Sequence, residues 1–136
     1  MTNQTTKLIS AAQSDAVATS AEGDKDAQSW GELTWKITSE SMPGTEMTYG
    51  TCRIEPGERN PLHSHPNCEE ILYVVSGRCE HRLGEELIEL REGDAIRIPR
   101  NVRHYAKNIG DGPMFALIFF SSGERQAINH EGEGAA

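Results

Sequence analysis

The chain has 136 residues, the length of one domain with a single hydrophobic core. It carries 21 acidic and 13 basic residues, so a net charge of −8 argues against nucleic-acid binding. No apolar run approaches the roughly 20 residues of a membrane-spanning helix, and no secretory leader is expected around Lys7. Three cysteines, with no C-x-x-C pair and no even disulfide set, favour a cytoplasmic location.

The two ends of the chain are polar and contain little that can build a core. Residues 1–29 lack aromatic side chains, which predicts a flexible arm with a possible short helix at residues 8–17. Residues 123–136 are polar and rich in glycine, which predicts a polar tail. The predicted domain therefore spans residues 30–122.

Within residues 30–122, apolar side chains recur at every second position, as they do in a strand with one buried face. Glycine- and proline-containing turns separate these runs at intervals of roughly eight to twelve residues. This spacing, without a convincing long helix, predicts an all-β sandwich or barrel. The predicted strands cover residues 32–37, 47–54, 71–75, 79–90 (a hairpin turning at Gly84 and Glu85), 95–98, 102–107 and 114–121.

The placement of histidine points to a metal site. His63 and His65 are separated by one residue, so on a strand they face the same side. Glu70 begins the next predicted strand, and His104 lies on a predicted strand that is not adjacent to it in the sequence. Three imidazoles and one carboxylate form a mixed nitrogen and oxygen set that suits Mn, Fe, Co, Ni, Cu or Zn. Taken without a wider pattern, the same residues have an alternative interpretation, in which the histidines lie on the surface and Glu69 and Glu70 are a solvated pair.

The segment from Gly57 to Gly77 supplies part of that wider pattern. It closely resembles the first motif of the cupin superfamily, G-x5-H-x-H-x(3,4)-E-x6-G. The match requires Glu70 as the acidic member, because six residues separate Glu70 from Gly77 and Glu69 does not have that spacing.

The segment from Gly93 to Asn108 resembles the second cupin motif, G-x5-P-x-G-x2-H-x3-N. It departs from that motif at one fixed position, where Asn101 replaces glycine. Asparagine is the residue that best replaces glycine at a positive φ, so the turn can survive the exchange. Two motifs that match in order and spacing are much stronger evidence of a resemblance to the family than either motif alone.

The resemblance implies a small single-domain cupin, a jelly-roll barrel that holds a divalent metal ion such as Mn, Fe, Ni or Zn. It implies that the metal ligands are His63, His65, Glu70 and His104. Single-barrel members commonly dimerise with exchanged N-terminal segments, so a homodimer with a flexible or swapped arm is expected. The predicted strand at residues 114–121 has more apolar residues than one face can bury, which also favours a dimer. Alternatively, the N-terminal arm covers the second apolar face of this strand within one subunit.

Several other residues are candidates for roles beside the metal. With Glu70, we consider His81 and Tyr105 for proton transfer, although a structural role is the alternative for His81. Arginine can grip a substrate carboxylate through two parallel hydrogen bonds. The candidate arginines are Arg53, Arg82, Arg97 and Arg103, with Arg53 and Arg97 assigned to substrate binding.

Function is less constrained than fold, because the cupin fold serves many chemistries. We expect a metal-dependent lyase, isomerase or tautomerase acting on a small oxygenated metabolite chelated to the metal. The substrate classes are a carboxylate, a keto or hydroxy acid, and a sugar acid. The alternatives are an iron-dependent dioxygenase and a non-catalytic ligand- or sugar-binding protein. A storage role ranks last, because storage does not need a complete ligand set.

Overall fold

The computed structural model describes residues 6–132, and nearly all of its regular structure is β-strand. One 3₁₀ turn, Ala11–Gln13, lies within the predicted helix at residues 8–17. The eleven strands are β1 (Asp24–Gln28), β2 (Gly31–Ile37), β3 (Thr48–Ile54), β4 (His63–Ser64), β5 (Glu70–Ser76), β6 (Cys79–Leu83), β7 (Glu86–Leu90), β8 (Ala95–Ile98), β9 (His104–Asn108), β10 (Met114–Phe120) and β11 (Ile128–Asn129). Among residues 6–132 we find no helix with the length and apolar character needed to cross a membrane.

The strands form two sheets in which every recorded pairing is antiparallel. One sheet has the order β1-β2-β3-β10-β5-β8, and the other has the order β11-β4-β9-β6-β7. Their facing sides bury a core that includes Ile54, Val74, Ile98 and Met114. This arrangement confirms the predicted all-β, jelly-roll class.

Alternation along the strands determines which side chains face the core. In β5, Glu70, Leu72 and Val74 are buried, whereas Ile71 and Tyr73 are 45% and 38% exposed. The apolar strand β10 follows the same rule, with every second residue buried and the others partly covered. The period of two thus places Glu70 on the core face of β5 together with Leu72 and Val74.

The predicted turn positions adopt the backbone geometry that their residues favour. The hairpin between β6 and β7 turns at Gly84 and Glu85, as predicted. Asn101 has a φ of 71°, which agrees with its place at a motif position that normally holds glycine. Gly77 has a φ of 88°, and an added Cβ there would lie 2.9 Å from Met114 Cα, so the motif glycine also permits close packing.

The sheets extend beyond the predicted domain limits of 30 and 122. Strand β1 pairs with β2, and β11 pairs with β4, although neither strand has the apolar alternation that made the others visible. Both are edge strands held mainly through backbone hydrogen bonds, which residue type does not reveal. The parts of the arm and tail at residues 1–5 and 133–136 lie outside the described residues.

Candidate metal centre

The four predicted ligands lie together inside the barrel. His63 in β4 is directly opposite His104 in β9, His65 follows β4, and Glu70 begins β5. One ligand atom from each residue lies within 4.8 Å of the others. His65, Glu70 and His104 are at most 5% exposed, so the cluster belongs to the core rather than to a solvated surface.

Backbone carbonyl groups orient all three imidazoles of the cluster. Each Nδ1–H donates to a main-chain oxygen, which leaves a lone pair on Nε2 for a metal ion. The three pairs are His63 with Pro61 at 2.6 Å, His65 with Gln126 at 2.8 Å, and His104 with Val102 at 2.9 Å. This orientation is the one that metal-ligating histidines adopt.

The Nε2 atoms converge on the carboxylate of Glu70. Both His65 Nε2 and His104 Nε2 lie 3.2 Å from Glu70 Oε1. The His104 contact has hydrogen-bond geometry, whereas His65 Nε2 has no hydrogen-bond partner among residues 6–132. With Nδ1 protonated, lone pairs on nitrogen and oxygen face each other, and a proton or a cation must lie between them. The donor set therefore fits a divalent metal ion.

The electrostatic environment favours the protonation states that bind metals. Burial raises the pKa of Glu70, but contacts with His104 and His65 outweigh burial and hold that pKa well below its ordinary value. Burial, reinforced by repulsion from His104, lowers the pKa of His63 to about 3. At neutral pH the site thus offers an ionised carboxylate and a neutral His63 imidazole.

A small cavity of about 30 Å³ adjoins the cluster. His63, His65 and Glu70 form part of its wall, and Trp35, Phe120 and Arg125 also line it. By volume it has room for about two water molecules. A ligand larger than this must extend out of the cavity or displace part of its wall.

The structure brings His81 to the cluster but not Tyr105. His81 is 1% exposed, its ring stacks on that of His104 with centroids 5.9 Å apart, and its Nδ1 has no hydrogen-bond partner within the described part of the chain. Tyr105 lies between the inward-facing His104 and Ala106, so alternation directs it outward. Its ring lies beneath the Arg59 guanidinium at 4.5 Å.

The structure does not bring the two predicted substrate-binding arginines to the cavity. Arg53 follows the inward-facing Cys52 on β3, so its side chain points outward and pairs with Glu55 at 2.8 Å. Arg97 occupies the same kind of outward position on β8 and pairs with Glu69 at 3.3 Å. Their side chains are 44% and 63% exposed.

Sequence reasoning missed two residues of the site because both lie in the segment assigned to the tail. Arg125 lines the cavity, and the carbonyl oxygen of Gln126 accepts the hydrogen bond that orients His65. No sequence signal identifies them, because their position follows from the register of β10, whose last residue, Phe120, pairs with Glu70 in the structure. The segment that follows β10 therefore starts beside the cluster, although its polar composition does not indicate this.

The cavity wall also contains a thiol, that of Cys52. Burial, with the nearby Glu70 charge, raises its pKa to about 12, so the thiol stays protonated at neutral pH. A protonated thiol is a poor metal ligand. Cys68 and Cys79 are likewise free and buried.

Comparison with known proteins gives this site a family. The profile of the cupin domain matches residues 50–120, which include all four candidate ligands. The chain belongs to the cupin family. This cupin is 38% identical over 81 residues to polyketide synthase CurC of Streptomyces cyaneus, covering 60% of this chain and 53% of CurC. It is 33% identical over 92 residues to germin-like protein 3-8 of Oryza sativa subsp. japonica, covering 62% of this chain and 41% of that protein.

Solved structures show the same fold. Oxalate decarboxylase of Lactobacillus farciminis, in a formate complex, superposes with a TM-score of 0.73 at 26% identity. The alignment covers 79% of this cupin and 33% of the decarboxylase chain. This cupin thus spans about half the length of the curated relatives it matches, and about a third of that decarboxylase chain.

The buried histidines predict how stability depends on pH in the chelator-treated protein. Burial lowers the pKa of His63 to about 3 and that of His81 to about 4, whereas an unfolded histidine titrates near 6.5. Between these pH values the unfolded chain binds more protons than the folded chain does. The free energy of unfolding therefore decreases as the pH falls from about 6.5 towards 4. Each histidine contributes up to about 1.4 kcal/mol per pH unit.

Urea unfolding of the chelator-treated protein at about pH 7 and about pH 5 measures this loss. His81→Leu removes one titrating group and should reduce the pH dependence, whatever its effect on stability at pH 7. An unfolding free energy that is equal at the two pH values would contradict the prediction.

Proposed function

We propose that this cupin is a metal-dependent enzyme acting on a small oxygenated metabolite that chelates the metal. The observation that carries the proposal is the convergence of imidazole Nε2 atoms on the ionised Glu70 carboxylate inside a buried barrel. A storage or purely structural barrel does not require three histidines with a shared tautomer. The substrate classes are a carboxylate, a keto or hydroxy acid, and a sugar acid.

The chain's own residues define the parts of such a site. His63, His65, Glu70 and His104 would hold the ion, which supplies Lewis acidity towards an oxygen of the metabolite. The Glu70 carboxylate oxygen that does not face the two imidazoles is the proposed atom for accepting and returning a proton. The His81 ring, stacked on His104, keeps that imidazole in place.

The names of two similar proteins support an oxygen-rich, carbonyl-containing substrate. The superposed decarboxylase is named for oxalate and was solved with formate, and both molecules are small carboxylates. CurC is named as a polyketide synthase, and polyketides are chains rich in carbonyl groups. The shared chemistry is an oxygen that can bind a metal beside an acidic carbon or a carboxylate.

Metal content tests the ligand assignment. Elemental analysis of the purified protein, before and after dialysis against chelator, should find a stoichiometric divalent metal. His63→Ala and His104→Ala should each lower metal affinity by more than about 100-fold, because loss of an outer-shell partner alone can cost that much. Glu69→Ala is the control, since Glu69 adjoins Glu70 in the sequence but pairs with the exposed Arg97 outside the cluster. Full occupancy in the double variant, with the fold retained by circular dichroism, would reject the four-ligand site.

Proton exchange tests whether the site is catalytic. Keto acids, hydroxy acids and uronates incubated with the metal-loaded protein in D₂O should incorporate deuterium beside the carbonyl group, as followed by NMR. Glu70→Gln, measured at saturating metal, should slow this exchange by roughly 100-fold or more. The exposed neighbour Glu69, changed to Gln, is the matched control.

Other outcomes would select the alternatives. Dioxygen uptake by an iron-loaded protein, without exchange, would indicate the dioxygenase. Ligand binding with neither reaction would indicate a binding protein.

We also propose that two copies of this cupin pair through the outer face of the six-stranded sheet. Phe119 lies opposite both Tyr49 and Ile71 in register, and its ring stacks on Tyr49 at 5.1 Å. Ile71 and Tyr73 remain 45% and 38% exposed beside this row. Such a continuous apolar surface is typical of an interface core.

Light scattering after size-exclusion chromatography should therefore report a dimer. Tyr73→Lys should raise the dissociation constant by roughly tenfold or more, because a charge would be buried at the interface. Leu87→Lys is the control, since Leu87 is 60% exposed on the other sheet. A monomeric parent protein, or a Tyr73→Lys variant that dimerises normally, would contradict this pairing.

A cytoplasmic location remains our proposal. Its support is that all three cysteines are free and buried rather than joined in disulfides.

A further inference from the structure

Arg125 has an unusual environment for a residue in a polar, glycine-rich segment. Its guanidinium carbon lies 4.4 Å from the ring centre of Trp35 and 5.2 Å from that of Phe120. Such cation–π stacking fixes the plane of the guanidinium and leaves its edge available for hydrogen bonding. The side chain is therefore positioned at the cavity wall rather than extended into solvent.

The buried edge of Arg125 has an unmet hydrogen-bonding requirement. Its Nε atom is buried and has no hydrogen-bond partner among residues 6–132. A buried donor without an acceptor is costly, and the cost is greater for a charged group. The Glu70 carboxylate affects Arg125 electrostatically, but no hydrogen bond between the two groups satisfies Nε.

Arg125 also stands between two spaces of very different size. One is the cavity of about 30 Å³ beside the four candidate ligands. The other is an outer groove of about 1720 Å³, bordered by the N-terminal segment, the loop after β2 and the segment after β10. Trp35 and Arg125 line both spaces. These two side chains therefore lie at the boundary between the groove and the cavity.

The charges along the groove make Arg125 the residue suited to an anion. The groove carries two basic side chains, Lys36 and Arg125, together with Asp15, Glu22, Asp24, Glu40 and Glu124. Lys36 is occupied, because its Nζ donates to the carbonyl oxygen of Thr19 at 2.7 Å and to that of Glu22. The Arg125 guanidinium, at the inner end, is thus the cation placed to receive a negative group.

From these observations we infer that Arg125 binds the carboxylate of a substrate whose neighbouring oxygen reaches the four-residue cluster. The inference rests on the proposed function and specifies its substrate as an anion, in particular a 2-oxo or 3-oxo carboxylic acid. The carboxylate accepts hydrogen bonds from the unsatisfied edge of the Arg125 guanidinium, and the body of a longer substrate lies in the groove. Trp35 holds the guanidinium in its plane and is a positioning residue.

Binding of two matched probes to the Mn²⁺-loaded protein tests this role. Pyruvate and pyruvamide have nearly the same shape, but only pyruvate has a carboxylate. Titration calorimetry and Mn²⁺-dependent water relaxation measure binding without requiring turnover. Arg125→Met should weaken pyruvate binding by about tenfold or more and leave pyruvamide binding unchanged, because a charge-assisted, two-pronged contact is lost. Arg125→Lys should fall between the parent and Arg125→Met, because it retains the charge but loses the planar fork.

The controls separate this inference from the proposed function. Arg53→Met removes an outward-facing arginine of the same barrel and should bind pyruvate as the parent does. Mn²⁺ occupancy should be equal in the parent and all three variants, which also shows that the variants fold. Equal pyruvate affinity in the parent and Arg125→Met, or a parent that binds pyruvamide as well as pyruvate, would overturn the role of Arg125 alone. A parent that binds none of Mn²⁺, Fe²⁺, Ni²⁺ and Zn²⁺ would overturn the proposed function and this inference with it.

Discussion

The central constraint of this structure is the meeting of lone pairs inside the barrel. Nε2 of His65 and of His104 both lie 3.2 Å from the same oxygen of Glu70, in a space from which water is nearly excluded. Nitrogen and oxygen atoms arranged in this way repel one another unless a positive charge lies between them. Either protons or a metal ion must supply that charge, so metal affinity and proton binding at the site are necessarily linked.

Much of the surrounding fold serves to keep these atoms in position. β4 has only two residues, yet it carries His63 and is held between β9 and β11. The segment that follows β10 returns to this strand, where Gln126 orients His65 and His130 contacts Ser64. The last described part of the chain therefore supports the ligand strand instead of extending freely from the barrel. An error of an ångström in that support would move the imidazoles out of line.

The sequence allowed the local features to be predicted well and the non-local ones poorly. The limits of β8 and the turn at Gly84 follow from residue type and period, and the positive φ of Asn101 follows from the glycine position of the second cupin motif; all three agree with the structure. The choice of Glu70 over Glu69 followed from motif spacing. By contrast, Arg125 reaches the site through the path of the chain after β10, and no local pattern encodes that path. The outward direction of Arg53 depends on which face of β3 is buried, and alternation in the sequence alone does not determine that face.

The buried thiols make the dynamics of this barrel open to direct chemical observation. Cys52 lies in the six-stranded sheet, Cys79 in the five-stranded sheet, and Cys68 in the loop between His65 and Glu70. Because burial raises the thiol pKa values of Cys52 and Cys79 to about 12, these groups stay protonated and unreactive while the barrel is closed. Their labelling by an alkylating reagent therefore requires an opening that lasts long enough for ionisation and attack. Each sheet and the ligand loop thus contains its own reporter of how often that part of the barrel unfolds.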